Sequence, residues 1–232
     1  MSDRPGIGEV MSRRVLPRAV VAESRVDGFA RLAAASRRRL GRHGRVELFF
    51  SFDDPSSAVA VLDLTERLRH YDAQVVLLPV VDRGIPDDPA VELKRRYALT
   101  DARRLAQRLD LTLARAEPWD PVVPGVLAEW VAAAPQGPAL TRFCEEAMRR
   151  LWFDVEGRGR PTELGALWRT ELGGDAQRLH GARHVRRNSR RMRLRGIYDV
   201  PAAWVHGQWF FAHDRPAQIA ERLDDLGWAA AG

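Results

Sequence analysis

Two short apolar runs on either side of a helical segment limit most strongly what this chain can fold into. The first run is VELFFSF, Val46–Phe52, and the second is QVVLLPVV, Gln74–Val81. Between them Asp54 suits a helix N-cap and Pro55 the first helical position, and the helical pattern continues to about His70. A strand, a helix and a second strand at this spacing predict a right-handed βαβ unit with parallel strands.

A second strand-rich stretch, GIYDVPAAWVHGQWFFAHDR, spans Gly196–Arg215. Two apolar runs flank a turn at His206–Gln208, and Asp214 precedes a final amphipathic segment, so a hairpin followed by a helix is predicted. Pro201 is expected at the head of the first strand, where a missing N–H is tolerated, and X-Pro bonds of this kind can be cis. A cis bond would leave the backbone of Val200 open to an extended ligand.

The remaining segments have helical periodicity. Helices are predicted at about 23–40, 90–109, 123–133, 138–153, 163–172 and 176–195. The chain therefore divides into an Arg- and Ala-rich, partly helical extension at 1–44, an α/β domain at 45–85 and 176–232, and an inserted helical domain at 86–175.

Composition indicates an ordinary globular protein that is basic. Hydrophobic residues make up 45% of the 232 and charged residues 29%. No apolar run reaches the roughly 18 residues of a membrane span. The N-terminus has no apolar signal-peptide core, which favours a cytoplasmic location and no membrane partner.

The net charge of +6 is carried almost wholly by arginine, because Lys94 is the only lysine, and it favours anionic ligands. Seven arginines and no acid occupy 183–195, on more than one face of the predicted helix. A solvated face is the default interpretation, and attraction of an acidic substrate or cofactor is the alternative. Nucleic acid is given little weight, since no recognised motif accompanies the charge.

Cysteine and histidine usage argues against redox and metal chemistry. The single cysteine, Cys144, excludes an internal disulfide and is expected to be a buried, inert thiol. His180 and His184 have helical i,i+4 spacing, but they lack a neighbouring carboxylate and lie in a basic run. No metal site is predicted.

The order of elements is the thioredoxin plan interrupted by helices after its second strand. Four segments, at 49–60, 93–111, 147–175 and 196–215, also resemble the DsbA-like thioredoxin superfamily, in particular its branch of 2-hydroxychromene-2-carboxylate isomerases and kappa-class glutathione transferases. The resemblance covers about residues 46–227. It implies a thioredoxin-like fold with a helical domain inserted after the second strand.

The resemblance also implies a glutathione site. In this family glutathione lies extended in the groove, and its cysteine pairs with the backbone before the cis-proline, a role that falls to Val200 with Pro201 holding the geometry. Asp214 matches the acid that holds the γ-glutamyl ammonium, although it could instead be a helix N-cap. His213 replaces a frequent serine, which puts the contact to the γ-glutamyl carboxylate in doubt.

Asp54 departs from the family pattern, because it stands where the family has a catalytic serine or a redox cysteine. A carboxylate about 4 Å from a thiolate repels it by roughly 4 kcal/mol at an effective dielectric near 20. Asp54 is therefore either only an N-cap, with the chemistry lost, or a general base. Ser56 and Ser57 are the neighbouring hydroxyls that could donate to a bound sulfur, and capping is the alternative role of Ser57.

A second set of residues that matches the family lies on the helix predicted at 90–109: Lys94, Tyr97, Asp101 and Arg104. Their spacing of three and four residues places them on neighbouring turns of a helix. They are either part of the site or a polar network between helices.

Two functions remain open from the sequence. One is a glutathione-dependent isomerase or transferase acting on a small, anionic aromatic compound. The other is a catalytically degenerate binding module for an acidic ligand or partner. A dithiol oxidoreductase is excluded, because residues 54–57 contain no CxxC pair. Trp152, Trp168 and Trp209 are candidates for either the core or a homodimer face.

Overall fold

The computed structural model describes residues 16–82, 84, 88–154, 159–176 and 179–229, and the side chains in these ranges except those of 16–27 and 95. Within these ranges the elements are α1 (Leu16–Arg39), β1 (Gly44–Phe50), α2 (Pro55–Arg67), β2 (Ala73–Pro79), α3 (Val91–Gln107), α4 (Val122–Ala133), α5 (Pro138–Trp152), α6 (Pro161–Glu171), α7 (Ala182–Leu194), β3 (Ala202–Val205), β4 (Gln208–Phe211) and α8 (Pro216–Asp225). Residues 1–15 of the predicted extension lie outside the described residues.

The four strands form one mixed sheet with the order β2-β1-β3-β4. β1 and β2 are parallel, in register from Gly44 opposite Ala73 to Phe50 opposite Pro79. β1 pairs antiparallel with β3, and β3 pairs antiparallel with β4. The predicted βαβ unit and hairpin are both confirmed. Helices α3–α6 fall between β2 and α7, where the insertion is predicted, and the division into domains stays a prediction.

The start of α2 is fixed by local chemistry. Asp54 has extended backbone dihedrals, with φ −115° and ψ 117°, and its side chain accepts the backbone N–H of Ser57. Pro55 occupies the first helical turn, where its missing N–H costs nothing. The helix is buried on almost every side from Pro55 to Thr65, so it lies inside the molecule rather than on its surface.

Alternation along β1 separates the two faces of the sheet. Val46, Leu48 and Phe50 are fully buried in the larger core, with α2, α5 and α8. Glu47 and Phe49 point to the opposite face, where Phe49 packs in a second cluster that includes residues of α7. Burial of each large apolar side chain contributes about 1.5–3 kcal/mol.

Some predicted helix starts are wrong. α7 begins at Ala182 rather than 176, and its N-cap residue Gly181 lies so close to α4 that a Cβ there would be 1.8 Å from the carbonyl oxygen of Glu129. α1 already includes residues 16–22, before the predicted start at about 23. α6 begins at Pro161 rather than 163, and here proline again takes the first helical turn.

The outer edge of β2 is partly covered by one side chain. The N–H of Leu77 donates to Oε1 of Gln136 at 2.8 Å, and Nε2 of Gln136 donates to the carbonyl oxygen of Leu77 at 3.0 Å. The primary amide of Gln136 therefore makes the pair of bonds that a neighbouring strand would make at this position.

Several side chains left open by the sequence belong to the core. Cys144 is fully buried, and burial raises the pKa of its thiol well above the usual value, with a smaller contribution from Glu145. The predicted burial of Cys144 is confirmed. Trp152 and Trp168 are also buried, whereas Trp209 is half-buried. No helix in the described ranges is long and apolar enough to cross a membrane.

Candidate functional site

A cleft of about 520 Å³ lies between the start of α2, the helix α3 and the segment before β3. Its lining residues are Asp54, Ser56, Gly84, Asp88, Val91, Leu93, Lys94, Tyr97, Ala98, Asp101, Tyr198, Asp199, Val200 and His213. Residues from three of the segments that carry the family resemblance therefore meet in one cleft, although they are far apart in the sequence.

Val200 lies in the wall of the cleft and is followed by a cis peptide bond to Pro201. Pro201 is buried immediately before β3, and its carbonyl oxygen accepts the N–H of Ala212 at 2.9 Å. The N–H of Val200 already donates to Oδ1 of Asp199 at 2.9 Å. A ligand that needs this donor must displace the Asp199 carboxylate.

Asp54 lines the cleft and caps α2 at the same time. Its side chain is buried, with 2% of the residue exposed. Oδ2 accepts the backbone N–H of Ser57 at 2.8 Å and the Ser57 hydroxyl at 2.6 Å. Both donors and the positive end of the helix dipole stabilise the carboxylate form and fix its orientation.

Ser57 does not reach the cleft. It is fully buried, and its hydroxyl oxygen accepts the backbone N–H of Ser51 at 3.1 Å while its O–H donates to Asp54. Ser56 is the hydroxyl that lines the cleft. Ser57 is therefore a positioning residue for Asp54 and has no access to a bound sulfur.

His213 and Asp214 differ in their relation to the cleft. His213 lines the cleft, whereas Asp214 lies outside the set of lining residues and its side chain is 57% exposed. Nε2 of His213 is 3.5 Å from Oδ2 of Asp214. The N-cap of α8 is Arg215, which makes no side-chain capping bond, so the alternative prediction that Asp214 caps this helix is wrong.

The α3 wall supplies an ion pair to the cleft. Lys94 pairs with Asp88, and this hydrogen bond is the main cause that raises the pKa of Lys94 and lowers that of Asp88; the N–H of Ala90 lowers the latter further. Asp101 is half-buried in the same wall. Arg104 is exposed and lies outside the lining set, so it does not join the other three residues predicted with it.

The mouth of the cleft is apolar and aromatic. Leu93 is 71% exposed, Tyr97 60%, and Val91 and Tyr198 49% each. Exposed rings and aliphatic side chains of this kind form a binding surface for a flat apolar molecule. Among the described lining residues Lys94 is the one permanently charged cation, against four aspartates.

None of the arginines at 183–195 lines this cleft. Arg191 and Arg195 instead bind the two carboxylate oxygens of Glu47, whose side chain is only 5% exposed, and Arg45 Nε lies 3.1 Å from Glu47 Oε1. Arg195 also stacks 4.5 Å from the centre of the Trp204 ring. The sequence signal for this cluster is one acid, Glu47, within an apolar strand, and no role was predicted for it.

The described part of the chain has no cluster of metal ligands and no dithiol at the start of α2. No group of three or more histidine, cysteine, aspartate or glutamate side chains there is placed to hold a metal ion. Residues 54–57 read Asp-Pro-Ser-Ser at the start of α2, so a dithiol is absent from that position.

Comparison with known proteins identifies the fold. No protein-family model and no curated protein matches the chain. The chain is similar to the solved structure of a 2-hydroxychromene-2-carboxylate isomerase, with a TM-score of 0.61 and 17% sequence identity, over 79% of this chain and 96% of that one. The resemblance predicted from the sequence is thus confirmed for the fold, and the chain shares the helix-interrupted thioredoxin-like fold of that isomerase structure.

Proposed function

We propose that this protein is a glutathione-dependent isomerase or transferase of the 2-hydroxychromene-2-carboxylate isomerase type, acting on a small aromatic carboxylate. The observation that carries the proposal is the cleft itself. It brings the backbone before a cis-proline, a carboxylate at a helix N-terminus and the aromatic α3 wall to one place.

The tripeptide is proposed to lie along Val200, with its cysteine paired to that backbone. Because the N–H of Val200 is bonded to Asp199, binding includes rotation of this carboxylate towards solvent. His213 lines the same cleft and Asp214 lies next to it, so we propose that they offer an imidazole and an exposed carboxylate to the γ-glutamyl end.

Asp54 is proposed as the general base. A thiolate about 4 Å away would be repelled by roughly 4 kcal/mol at an effective dielectric near 20, so the bound sulfur stays a thiol until it reacts. The carboxylate takes a proton from the thiol, or from the substrate directly, while Ser57 holds Oδ2 in place.

The lining also restricts the substrate. Tyr97, Tyr198 and Leu93 suit an aromatic body, and Lys94 offers an ammonium group to one carboxylate in competition with Asp88. The remaining aspartates oppose further negative charge. A monoanionic aromatic substrate is therefore favoured over a dianion.

The proposal is tested by calorimetry with reduced glutathione and by turnover of 2-hydroxychromene-2-carboxylate in its presence and absence. We expect binding at millimolar concentration or tighter, and turnover that requires the tripeptide. Replacing glutathione with its S-methyl derivative should preserve binding and stop turnover. Absence of binding at millimolar glutathione would refute the proposal.

The second candidate is a binding module without catalysis. It is favoured by the bonding of Asp54, because Oδ2 already serves as a helix cap and Ser57 is sealed in the core. This candidate predicts that ligand binding survives Asp54→Asn and that no thiol conjugate or isomerisation substrate is turned over by either protein.

A further inference from the structure

The arginines of α7 divide into two sets by their position around the helix. Arg191 and Arg195 point to Glu47 on the sheet, and Val185 and Met192 are buried against it. The exposed arginines form a single stripe, the α7 stripe, which consists of Arg183, Arg186, Arg187, Arg190 and Arg193. At 100° per residue these five occupy a sector of about 120°.

The α7 stripe is a concentrated positive surface. Its first and last members, Arg183 and Arg193, are separated by about 15 Å along the helix. In the described part of the chain none of the five has a carboxylate within ion-pair distance, and α7 itself contains no acid. Unpaired guanidinium groups at this density are suited to phosphates, which they can bind through two parallel hydrogen bonds.

An aromatic surface adjoins the end of α7. Tyr198, Trp209 and Phe211 contact one another edge to face, with ring centres 5.0–6.3 Å apart. Tyr198 is exposed, and the other two rings are half-buried. Arg195 joins the helix to this face of the sheet, because its guanidinium lies over Trp204, opposite Trp209 in the β3–β4 pair.

We propose that the α7 stripe and the adjoining aromatic rings bind single-stranded nucleic acid. Arginines alone would serve any polyanion, but partly exposed rings near the C-terminal end of the same helix add a surface on which unpaired bases can stack. Bases in a duplex are already stacked on each other and are not offered to such rings. An acidic protein segment would use the arginines and gain nothing comparable from the rings. Tyr198 also lines the cleft, whereas Trp209, Phe211 and the five arginines of the stripe lie outside its lining residues, so substitutions of these test the inference separately from the function proposed for the cleft.

Fluorescence anisotropy tests the proposal with a labelled oligothymidine of about 16 nucleotides, a length within the site sizes of known single-strand binders. Two triple variants are compared. The stripe variant is Arg186→Gln/Arg190→Gln/Arg193→Gln. The control variant is Arg104→Gln/Arg108→Gln/Arg169→Gln, which changes three exposed arginines elsewhere. Both variants lose the same charge. Competitors are the same strand as a duplex and a polyglutamate peptide.

We expect the stripe variant to bind at least about tenfold more weakly and to reduce the slope of log affinity against log salt by about 2, since each single-strand phosphate contact contributes about 0.7. The control variant should keep the slope of the unmodified protein. Tryptophan emission should be quenched by the single strand, and Trp209→Leu should weaken its binding about 5- to 160-fold, the range for loss of one stacked base.

Four results would overturn the proposal. They are equal losses in the two arginine variants, duplex binding as tight as that of the single strand, equal competition by polyglutamate, and no saturable binding at about 50 mM salt. Equal competition would instead identify the stripe as a surface for acidic proteins. Circular dichroism of each variant separates these outcomes from unfolding.

Discussion

Asp54 has a structural role as a helix N-cap and a proposed chemical role as a base, and two substitutions can separate these roles. Asparagine is as good an N-cap as aspartate but cannot accept a proton as a base. We expect the free energy of unfolding of Asp54→Asn to lie within about 0.5 kcal/mol of that of the unmodified protein. Asp54→Ala should lose about 1 kcal/mol of this free energy, because it lacks the cap. Urea denaturation measures both.

Turnover then decides the chemical role of Asp54. If the carboxylate is the general base, Asp54→Asn loses at least about 100-fold in kcat while its stability is unchanged. Ser57→Ala is the matched control for positioning, because it removes the hydroxyl bond to Oδ2 and keeps the carboxylate. Full turnover by Asp54→Asn would show that the carboxylate is not the general base and that Asp54 serves only as the helix N-cap.

Glu47 is the residue at which three cationic side chains converge. Glu47→Gln keeps the shape and removes the charge that Arg45, Arg191 and Arg195 face. We expect a loss of about 2–3 kcal/mol in the free energy of unfolding, the scale of hydrogen bonds to a charged group.

The control for Glu47 is Glu66→Gln, which breaks an exposed i,i+3 pair with Arg69 and should cost less than about 1 kcal/mol. Equal effects of the two substitutions in urea denaturation would show that the buried position of Glu47 adds nothing. The cap at Asp54 could be predicted from the adjacent Pro55. The partners of Glu47 on the α7 side, Arg191 and Arg195, are more than 140 residues away in the chain, so the local sequence does not identify them.

The junction of α7 with α4 depends on one glycine. A Cβ on residue 181 would meet the backbone of Glu129 at 1.8–2.7 Å, and neither backbone can rotate away as a side chain could. We expect Gly181→Ala to cost about 3 kcal/mol or more, at the upper end of overpacking effects. Thermal and urea unfolding measure it.

Gly165→Ala provides the control for this junction. Gly165 lies within α6, and a Cβ there would meet nothing within 4 Å. Alanine should therefore stabilise the helix by about 0.5–1 kcal/mol through its better helix propensity. A neutral Gly181→Ala would show that the two helices can separate at no cost.

At the scale of elements, the sequence predicted what local rules determine. Proline and aspartate placed the starts of α2 and α5 within a residue or two, and alternation placed the strands. The start of α7 was missed, because nothing in the local sequence shows that Gly181 approaches the backbone of Glu129. That approach is a property of packing rather than of local sequence.

The molecule as a whole should lose stability in mild acid through His206, in the β3–β4 turn. Burial, then the charges of Arg37 and Arg222, lower the pKa of this histidine below its ordinary value. His206 therefore binds a proton more readily in the unfolded chain than in the folded protein. The free energy of unfolding has its full value above the ordinary histidine pKa of about 6.5 and falls as the pH decreases below it.

His206→Asn should reduce this pH dependence. Asparagine tolerates the positive φ of 41° at this position and does not titrate. The slope of unfolding free energy against pH between about 7.5 and 5.5 should decrease by less than the one-proton limit of about 1.4 kcal/mol per pH unit, because the side chain is only half-buried. His70→Asn, at an exposed position, should leave the slope unchanged. An unaltered slope in His206→Asn would contradict this assignment.

At this scale the cleft could be anticipated only in part. Periodicity predicted the βαβ unit and the hairpin, and the family resemblance implied that Asp54 and Val200 share one site, whereas it left Lys94 as either part of that site or a polar network. The bond from Val200 to Asp199 and the burial of Ser57 could not be foreseen, because both depend on rotamers chosen in the folded environment. The pairing of Arg191 and Arg195 with the sheet rather than with the groove is of the same kind.

The amide of Gln136 has a consequence for association between molecules. An edge strand with open N–H and C=O groups is a template for pairing with another chain, and β2 is such an edge. By occupying both groups of Leu77, Gln136 interrupts the run of free sites that an incoming strand would need. A single loop residue therefore makes this edge of the sheet a poorer template for the addition of a strand from another molecule.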